Sequence, residues 1–124
     1  MTLYPHPPYE YSAAGGGLLF TAGACPLDED GQVVAPGDLE GQALRAVENL
    51  IAALADAGTG SDDLLKTTIY VVATERSDLV RVWDVVASRL GRVPSTLVGV
   101  SLLGYPDQLV EIEAVAATGR TPSA

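Results

Sequence analysis

Residues 93–118, VPSTLVGVSLLGYPDQLVEIEAVAAT, decide the fold class because they predict two consecutive β-strands joined by one short loop. Aliphatic and β-branched residues favour strands at residues 96–103 and 109–118, and the loop LLGYPDQ separates them because proline interrupts a strand. Glu111 and Glu113 stand two positions apart in the second strand, so both side chains point to one face. Two carboxylates in so apolar a segment make this strand the first candidate for a functional site.

The rest of the chain predicts a hairpin, two helices and a central strand. The predicted elements are, in chain order, strands at residues 9–14 and 18–23 around a triple-glycine turn, an optional edge strand at 32–35, a helix at 39–57, a strand at 64–73, and a helix from the cap Ser77 to about Leu90. In both helices, apolar residues recur at spacings of three and four, which gives each helix one apolar stripe. Trp83 lies on the stripe of the second helix, which favours core packing over ligand stacking.

The order ββ(β)αβαββ predicts an α+β fold in a single domain of residues 1–124. We expect one mixed sheet of about five to six strands, with both helices packed on one face. The second face also reads as largely apolar, judged from residues Val98, Val100, Ile112 and Val115. An apolar sheet face needs a covering partner, so we expect a homo-oligomer.

Composition and charge exclude several classes of function. The 124 residues carry a formal net charge of -9, which disfavours binding to nucleic acid and to anionic membrane surfaces. No apolar run reaches the ~20 residues that span a bilayer, and the first residues lack the pattern of a signal peptide. Cys25 is the single cysteine, so no internal disulfide can form. We therefore expect a soluble, cytoplasmic protein.

Four segments in this order resemble the RidA/YjgF family of reactive-intermediate deaminases, also labelled endoribonuclease L-PSP. They are PPYEYSAAGGGLLFTAGACP, DLLKTTIYVV, PSTLVGVSLL and LVEIEAVA. The resemblance implies a chorismate-mutase-like fold and a homotrimer with a small-molecule cleft between neighbouring subunits. It also implies a 2-iminobutanoate/2-iminopropanoate deaminase-like hydrolase, which converts an imine or enamine to a keto acid and ammonia. Neither a metal nor an organic cofactor is expected.

The resemblance assigns site roles to several residues by position. Glu111 matches the glutamate that positions the attacking water, and Tyr9 matches a tyrosine that lines the cleft. Gly23 matches a glycine whose backbone approaches the ligand, and Tyr105 is a candidate for the cleft rim. The alternative for the carboxylate is that it shares a solvated strand face with Glu113.

The chain departs from the family at the residue that binds a substrate carboxylate. The family has an arginine there, and an ungapped alignment places Ser95 at that position. Ser95 and Thr96 can offer hydroxyls and backbone N–H groups instead, and Leu97 contributes its backbone by resemblance. Arg92 lies three positions earlier and does not match the motif. The departure leaves a second class open, a binding protein that keeps the cleft and has lost the chemistry.

Other reactive side chains support no further site. Cys25 has small neighbours in the sequence and no nearby histidine, which favours an inert thiol over a nucleophile. His6 is the single histidine, so a Ser-His-Asp triad or a histidine metal site has little support. The ribonuclease activity of some relatives fits poorly with a charge of -9.

Overall fold

The computed structural model describes residues 2–119 as one five-stranded sheet that carries two helices on one face. The elements are β1 (Ser12–Gly15), β2 (Leu18–Thr21), α1 (Leu39–Asp56), a 3-10 turn (Ser61–Asp63), β3 (Leu64–Val72), α2 (Arg76–Leu90), β4 (Ser95–Val100) and β5 (Val110–Ala117). The predicted α+β fold is confirmed. Residues 32–35 form no strand, and pairing there is limited to an isolated bridge between Leu27 and Val33.

The last strand of the chain lies in the middle of the sheet. The strand order is β1-β2-β5-β3-β4, and β5 is antiparallel to both of its neighbours. β3 and β4 are parallel and are joined through α2. Because β5 is hydrogen-bonded on both sides, the position of Glu111, opposite Tyr70 of β3, is set by the register of the sheet.

The core lies between the sheet and the helices. Alternate residues of the two central strands face the helices, and Ile69 and Ile112 pair directly with no exposed surface. The stripe of α1 meets them with Leu50 and Leu54, which are also fully buried. Burial of each such side chain is worth roughly 1.5–3 kcal/mol, so this layer supplies much of the driving force for folding.

The helix starts follow from local hydrogen bonds, and one differs from the prediction. Asp38 caps α1, because its Oδ1 accepts from the backbone N–H of Gly41 at 3.0 Å. Ser77 does not cap α2 but lies inside it, because the helix begins at Arg76, two residues earlier than a cap at Ser77 predicts. The cap is Glu75, whose carboxylate accepts from the backbone N–H of Asp78 while the Asp78 side chain accepts from the Glu75 N–H. This reciprocal box of two acidic residues satisfies two backbone N–H groups, whereas a serine cap alone would satisfy one.

The sheet face away from the helices is mixed, so the prediction of a largely apolar second face was right for Val98, Val100 and Val115, which lie on it, and wrong for Ile112 and for the face as a whole. Ile112 belongs to the helix face, because Glu111 and Glu113 occupy the other face of the same strand. Phe20, 51% exposed, stands beside Val115 at the β2 end of the open face. Polar side chains fill its centre, and they are Lys66, Thr68, Tyr70, Glu111, Glu113 and Thr96.

The core assignment predicts a difference between two leucines of α1. Leu50→Ala removes a fully buried side chain and should lower the free energy of unfolding by about 2–5 kcal/mol, because a cavity remains. Leu44→Ala makes the same chemical change on the same helix at a side chain that is 39% exposed, so its cost should be well below that. Urea unfolding of both variants measures the difference. Equal losses would contradict the placement of α1.

Candidate functional site

A pocket of about 250 Å³ lies where the segment after β2 meets the loop before β5. Its lining consists of Tyr9, Ala22, Gly23, Cys25, Gly104, Tyr105 and Glu111. Four of the residues singled out in the sequence therefore come together from distant parts of the chain, and they are Tyr9, Gly23, Tyr105 and Glu111. A pocket of this volume can hold a small metabolite, and it is open to solvent.

A β-bulge places Gly23 at the pocket. Phe20 pairs with Val115, and Ala24 pairs with Ile112. The segment from Phe20 to Ala24 therefore advances four residues while β5 advances three, so the first segment has one extra residue. The extra residue bends the chain out of the ladder, as bulges next to functional sites do. The N–H of Ala114 is satisfied at the bulge by the side chain of Thr21, whose Oγ1 accepts at 2.9 Å.

Gly23 is required for close approach to the carboxylate. A Cβ at Gly23 would lie 2.4 Å from both Cδ and Oε2 of Glu111, closer than such atoms can come. The backbone angle φ of Gly23 is not in the left-handed region, so the reason for glycine is space and not conformation. The Glu111 side chain therefore lies against the bare backbone of the bulge.

Hydrogen bonds hold one oxygen of Glu111 and leave the other available. Cys25 Sγ and Gln108 Nε2 both donate to Oε1, each at 3.3 Å. Oε2 accepts no hydrogen bond from the residues that the structure describes. The carboxylate is thus oriented, with one oxygen free to accept from a molecule in the pocket.

The groups around the carboxylate are neutral hydrogen-bond donors. Burial, together with the nearby charge of Glu111, raises the pKa of the Cys25 thiol to about 12. Burial and a hydrogen bond with the Tyr105 side chain raise the pKa of the Tyr9 phenol well above its ordinary value. Both groups keep their protons at neutral pH. The thiol is therefore a donor to Glu111 and not a nucleophile, in agreement with the interpretation of Cys25 as inert.

The loop that carries Tyr105 is held by buried amides that the sequence analysis did not single out. Gln108, 3% exposed, accepts from the Tyr105 N–H at 3.1 Å and donates to the Val110 carbonyl at 3.1 Å. Gln42 of α1, fully buried, holds the same loop from the helix side. A buried glutamine has no signature in the sequence, because glutamine is usually exposed.

Within one chain, the predicted residues of β4 lie apart from the pocket. β3 separates β4 from β5, and the register places Ser95 level with Ala114, three residues along β5 from Glu111. Two strand spacings across the sheet and three residues along the strand put Ser95 and Glu111 about 14 Å apart. Ser95 Oγ faces the helix side, where it bonds to Thr67 Oγ1 at 2.6 Å and donates to the Val93 carbonyl at 2.8 Å. Leu97 packs against the core from the same side. Ser95, Thr96 and Leu97 can therefore reach a Glu111 pocket only in another copy of the chain.

The remaining candidates lie outside the pocket. Glu113 accepts a hydrogen bond from the Tyr70 hydroxyl on the open face of the sheet. Arg92 and Trp83 line a separate recess at the connection between α2 and β4. Trp83 also packs against the core, which supports its interpretation as a packing residue.

The described pocket carries one charge and no metal cluster. Glu111 is the ionisable acid of the lining, and none of the lining residues is a cation. Across residues 2–119, no group of three or more His, Cys, Asp and Glu side chains is placed to hold a metal ion. Neither described helix combines the length and the apolarity needed to cross a membrane.

Comparison with known proteins shows which family the chain belongs to. The family described as Endoribonuclease L-PSP matches residues 2–118. A RutC family protein of Pyrococcus horikoshii is 33% identical over 113 residues, which cover 90% of this chain and 88% of that protein.

Solved structures of similar proteins share the fold. YyfA, a Rid-family protein of Yersinia pestis, is 31% identical with a TM-score of 0.80, covering 90% of this chain and 88% of that one. Escherichia coli TdcF, solved with bound serine, is 28% identical with a TM-score of 0.76, covering 92% and 91%. The family match and these likenesses extend over nearly the whole chain, and the protein is therefore a member of the RidA/YjgF family.

Proposed function

We propose that the protein hydrolyses a small imine, enamine or related unsaturated metabolite in the pocket beside Glu111. The observation that carries the proposal is the state of this carboxylate, which has Oε1 fixed by two donors and Oε2 unbonded in an otherwise neutral pocket. A general base needs an oriented acceptor within hydrogen-bond reach of the proton that it removes. Membership of the RidA/YjgF family supports the same reaction class.

The proposed reaction adds water across a carbon–nitrogen double bond. Glu111 Oε2 takes a proton from a bound water while the water oxygen attacks the imine carbon, and Glu111 then passes the same proton to the nitrogen. In the resulting neutral aminoalcohol, Glu111 takes the hydroxyl proton as the carbonyl forms and the carbon–nitrogen bond breaks, and it passes that proton to the nitrogen, which leaves as ammonia. The hydroxyls of Tyr9 and Tyr105 can hydrogen-bond the substrate at the pocket wall. The balance is imine plus water to carbonyl compound plus ammonia, with no cofactor.

We also propose that the working form is a homotrimer with the site between subunits. The distance of Ser95, Thr96 and Leu97 from Glu111 within one chain supports this, because a neighbouring copy is needed to bring the two groups together. Phe20, Val115, Val98 and Val100 make part of the open sheet face apolar, which is a further reason to expect a covering partner.

The charge of the described pocket indicates whether the substrate carries a carboxylate. The described residues that line the pocket include a carboxylate and no cation, and the resemblance implies that Ser95 takes the place of an arginine that pairs with a substrate carboxylate. An imine without a carboxylate therefore fits this chain better than one derived from an amino acid. TdcF of Escherichia coli, a protein of similar fold, was solved with bound serine, which supports a small-molecule ligand for this chain.

A binding protein without turnover is the second candidate. Ser95 favours it, because the resemblance implies an arginine at this position and a serine there would lose substrate binding energy available for catalysis. The ribonuclease named in the family description receives no support from this chain, whose net charge of -9 opposes phosphate binding.

Replacement of Glu111 tests the enzyme proposal. Glu111→Gln keeps the shape of the side chain and removes the base, so kcat/KM should fall roughly 10²- to 10⁴-fold. The measurement is release of ammonia and carbonyl product from imines generated in situ, with and without a carboxylate. Glu113→Gln is the matched control on the same strand and face, and it should stay close to the wild type. Wild-type turnover in Glu111→Gln would contradict the proposed mechanism. A wild-type protein that is inactive on every imine would favour the binding protein.

The close contact at the bulge provides a second test. Gly23→Ala places a methyl group where the Glu111 carboxylate lies, so the carboxylate must move and turnover should fall. The cost in stability should be small, because the displaced atoms end a flexible side chain. Gly60→Ala is the control, since nothing lies within 4 Å of its Cβ and its φ is not positive. Wild-type turnover in Gly23→Ala would show that the position of Glu111 is unimportant.

Sedimentation velocity tests the assembly. The wild type should sediment as a trimer, and Phe20→Asp should shift it toward the monomer because the variant puts a charge on the proposed covered face. Val80→Asp introduces the same charge at a side chain of α2 that is 56% exposed, and it should leave the trimer intact. A wild type that sediments as a single subunit at micromolar concentration would rule out a site between subunits.

A further inference from the structure

We propose that Gln108 is a positioning residue that presents Glu111 Oε2 to the substrate by holding Oε1. The proposal rests on the proposed function for its effect on rate, and on hydrogen bonds within one chain for its geometry. Gln108 touches neither the pocket space nor a reacting atom. It acts through Glu111, three residues further along the chain.

The orientation of the Gln108 amide is set by its neighbours. Its Oε1 accepts from the Tyr105 N–H at 3.1 Å, so the carbonyl end of the amide must face the loop. The NH₂ end then faces β5, where its two hydrogens reach the Val110 carbonyl at 3.1 Å and Glu111 Oε1 at 3.3 Å. Three of the four hydrogen-bonding capacities of the amide are in use, and a flip would put carbonyl against carbonyl and N–H against N–H. The donor to Glu111 is therefore fixed.

The same amide links two walls of the pocket. Tyr105 belongs to the loop and Glu111 to the central strand, and Gln108 connects the backbone of one to the side chain of the other. The backbone N–H of Gln108 also donates to the Tyr105 carbonyl at 3.1 Å, which closes the turn. Burial to 3% exposure shields these bonds from water, so the carboxylate is held by a rigid group.

Gln42 offers a natural comparison, because it holds the same loop and does not contact Glu111. Its Nε2 donates to the Asp107 carbonyl at 2.9 Å, and its Oε1 accepts from the Leu109 N–H at 2.7 Å. Asp107 has a φ of 65°, a conformation that this clamp helps to maintain. Gln42 Nε2 also donates to the Ala35 carbonyl at 3.3 Å. Loss of Gln42 therefore disturbs the loop and the segment before α1 and leaves the carboxylate in place, whereas loss of Gln108 disturbs the loop and the carboxylate.

The experiment compares Gln108→Leu with Gln42→Leu, each measured for kcat, KM and thermal midpoint on the best imine substrate of the wild type. Displacement of the base by a fraction of an ångström slows proton removal and leaves substrate binding unchanged. Gln108→Leu should therefore lower kcat on the order of 10²-fold with little change in KM, and Gln42→Leu should change kcat far less at a similar loss of thermal midpoint. Equal losses of kcat in the two variants would mean that Gln108 only holds the loop, and would overturn the proposal.

Two additions make the result independent of folding and of the proposed function. If Gln108→Leu does not fold, Gln108→Met replaces it, because an unbranched side chain of similar length fills the same space and has no hydrogen-bond donor. If the wild type turns over no imine, the proposed function fails, and crystal structures of the two variants decide the positioning role. The proposal then requires a displaced Glu111 carboxylate in the Gln108 variant and an undisturbed one in Gln42→Leu. An unmoved carboxylate in the Gln108 variant would refute it.

Discussion

The pocket depends on one constraint, the pairing of a regular central strand with a neighbour that has one residue too many. β5 is held on both sides, so Glu111 cannot shift along the sheet. The extra residue opposite it lifts the chain at Gly23 out of the ladder, and pairing resumes through two backbone hydrogen bonds between Ala24 and Ile112, at 2.6 and 3.1 Å. The bulge is therefore closed at its far end, and the space that it opens is filled by the Glu111 side chain.

Helix α1 holds both walls of the pocket through two buried amides. Asn49 donates to the carbonyls of Cys25 and Leu27, each at 2.9 Å, and so fixes the wall that follows the bulge. Gln42 fixes the loop on the other side through Asp107 and Leu109. The two residues are seven positions apart, which places them two turns apart on the same helix face. Irregular segments carry backbone groups that no strand or helix satisfies, and polar side chains within the apolar stripe of α1 meet that need.

Periodicity and strand propensity were enough to predict the five strands, both helices and the layer arrangement, because these depend on where apolar residues recur. The position of Glu111 in a pocket followed from its motif. The burial of Gln42, Asn49 and Gln108 could not be predicted, since an amide becomes a core residue only when a loop far away in the sequence needs its hydrogen bonds. The direction of the Ser95 side chain could not be predicted either, because only the register with β3 shows that its hydroxyl bonds to Thr67.

The two carboxylates of β5 show how neighbours give similar side chains different roles. They lie about 7 Å apart along the strand, and each accepts a hydrogen bond from a neutral group. The bond with Glu113 raises the pKa of the Tyr70 hydroxyl to about 12, and burial with the charge of Glu111 raises that of the Cys25 thiol to a similar value. Both donors thus keep their protons at neutral pH, and neither cancels the charge of its carboxylate. Glu113 faces the open sheet, while Glu111 lies under the bulge with a second oxygen unbonded, and this difference makes one of them a candidate base.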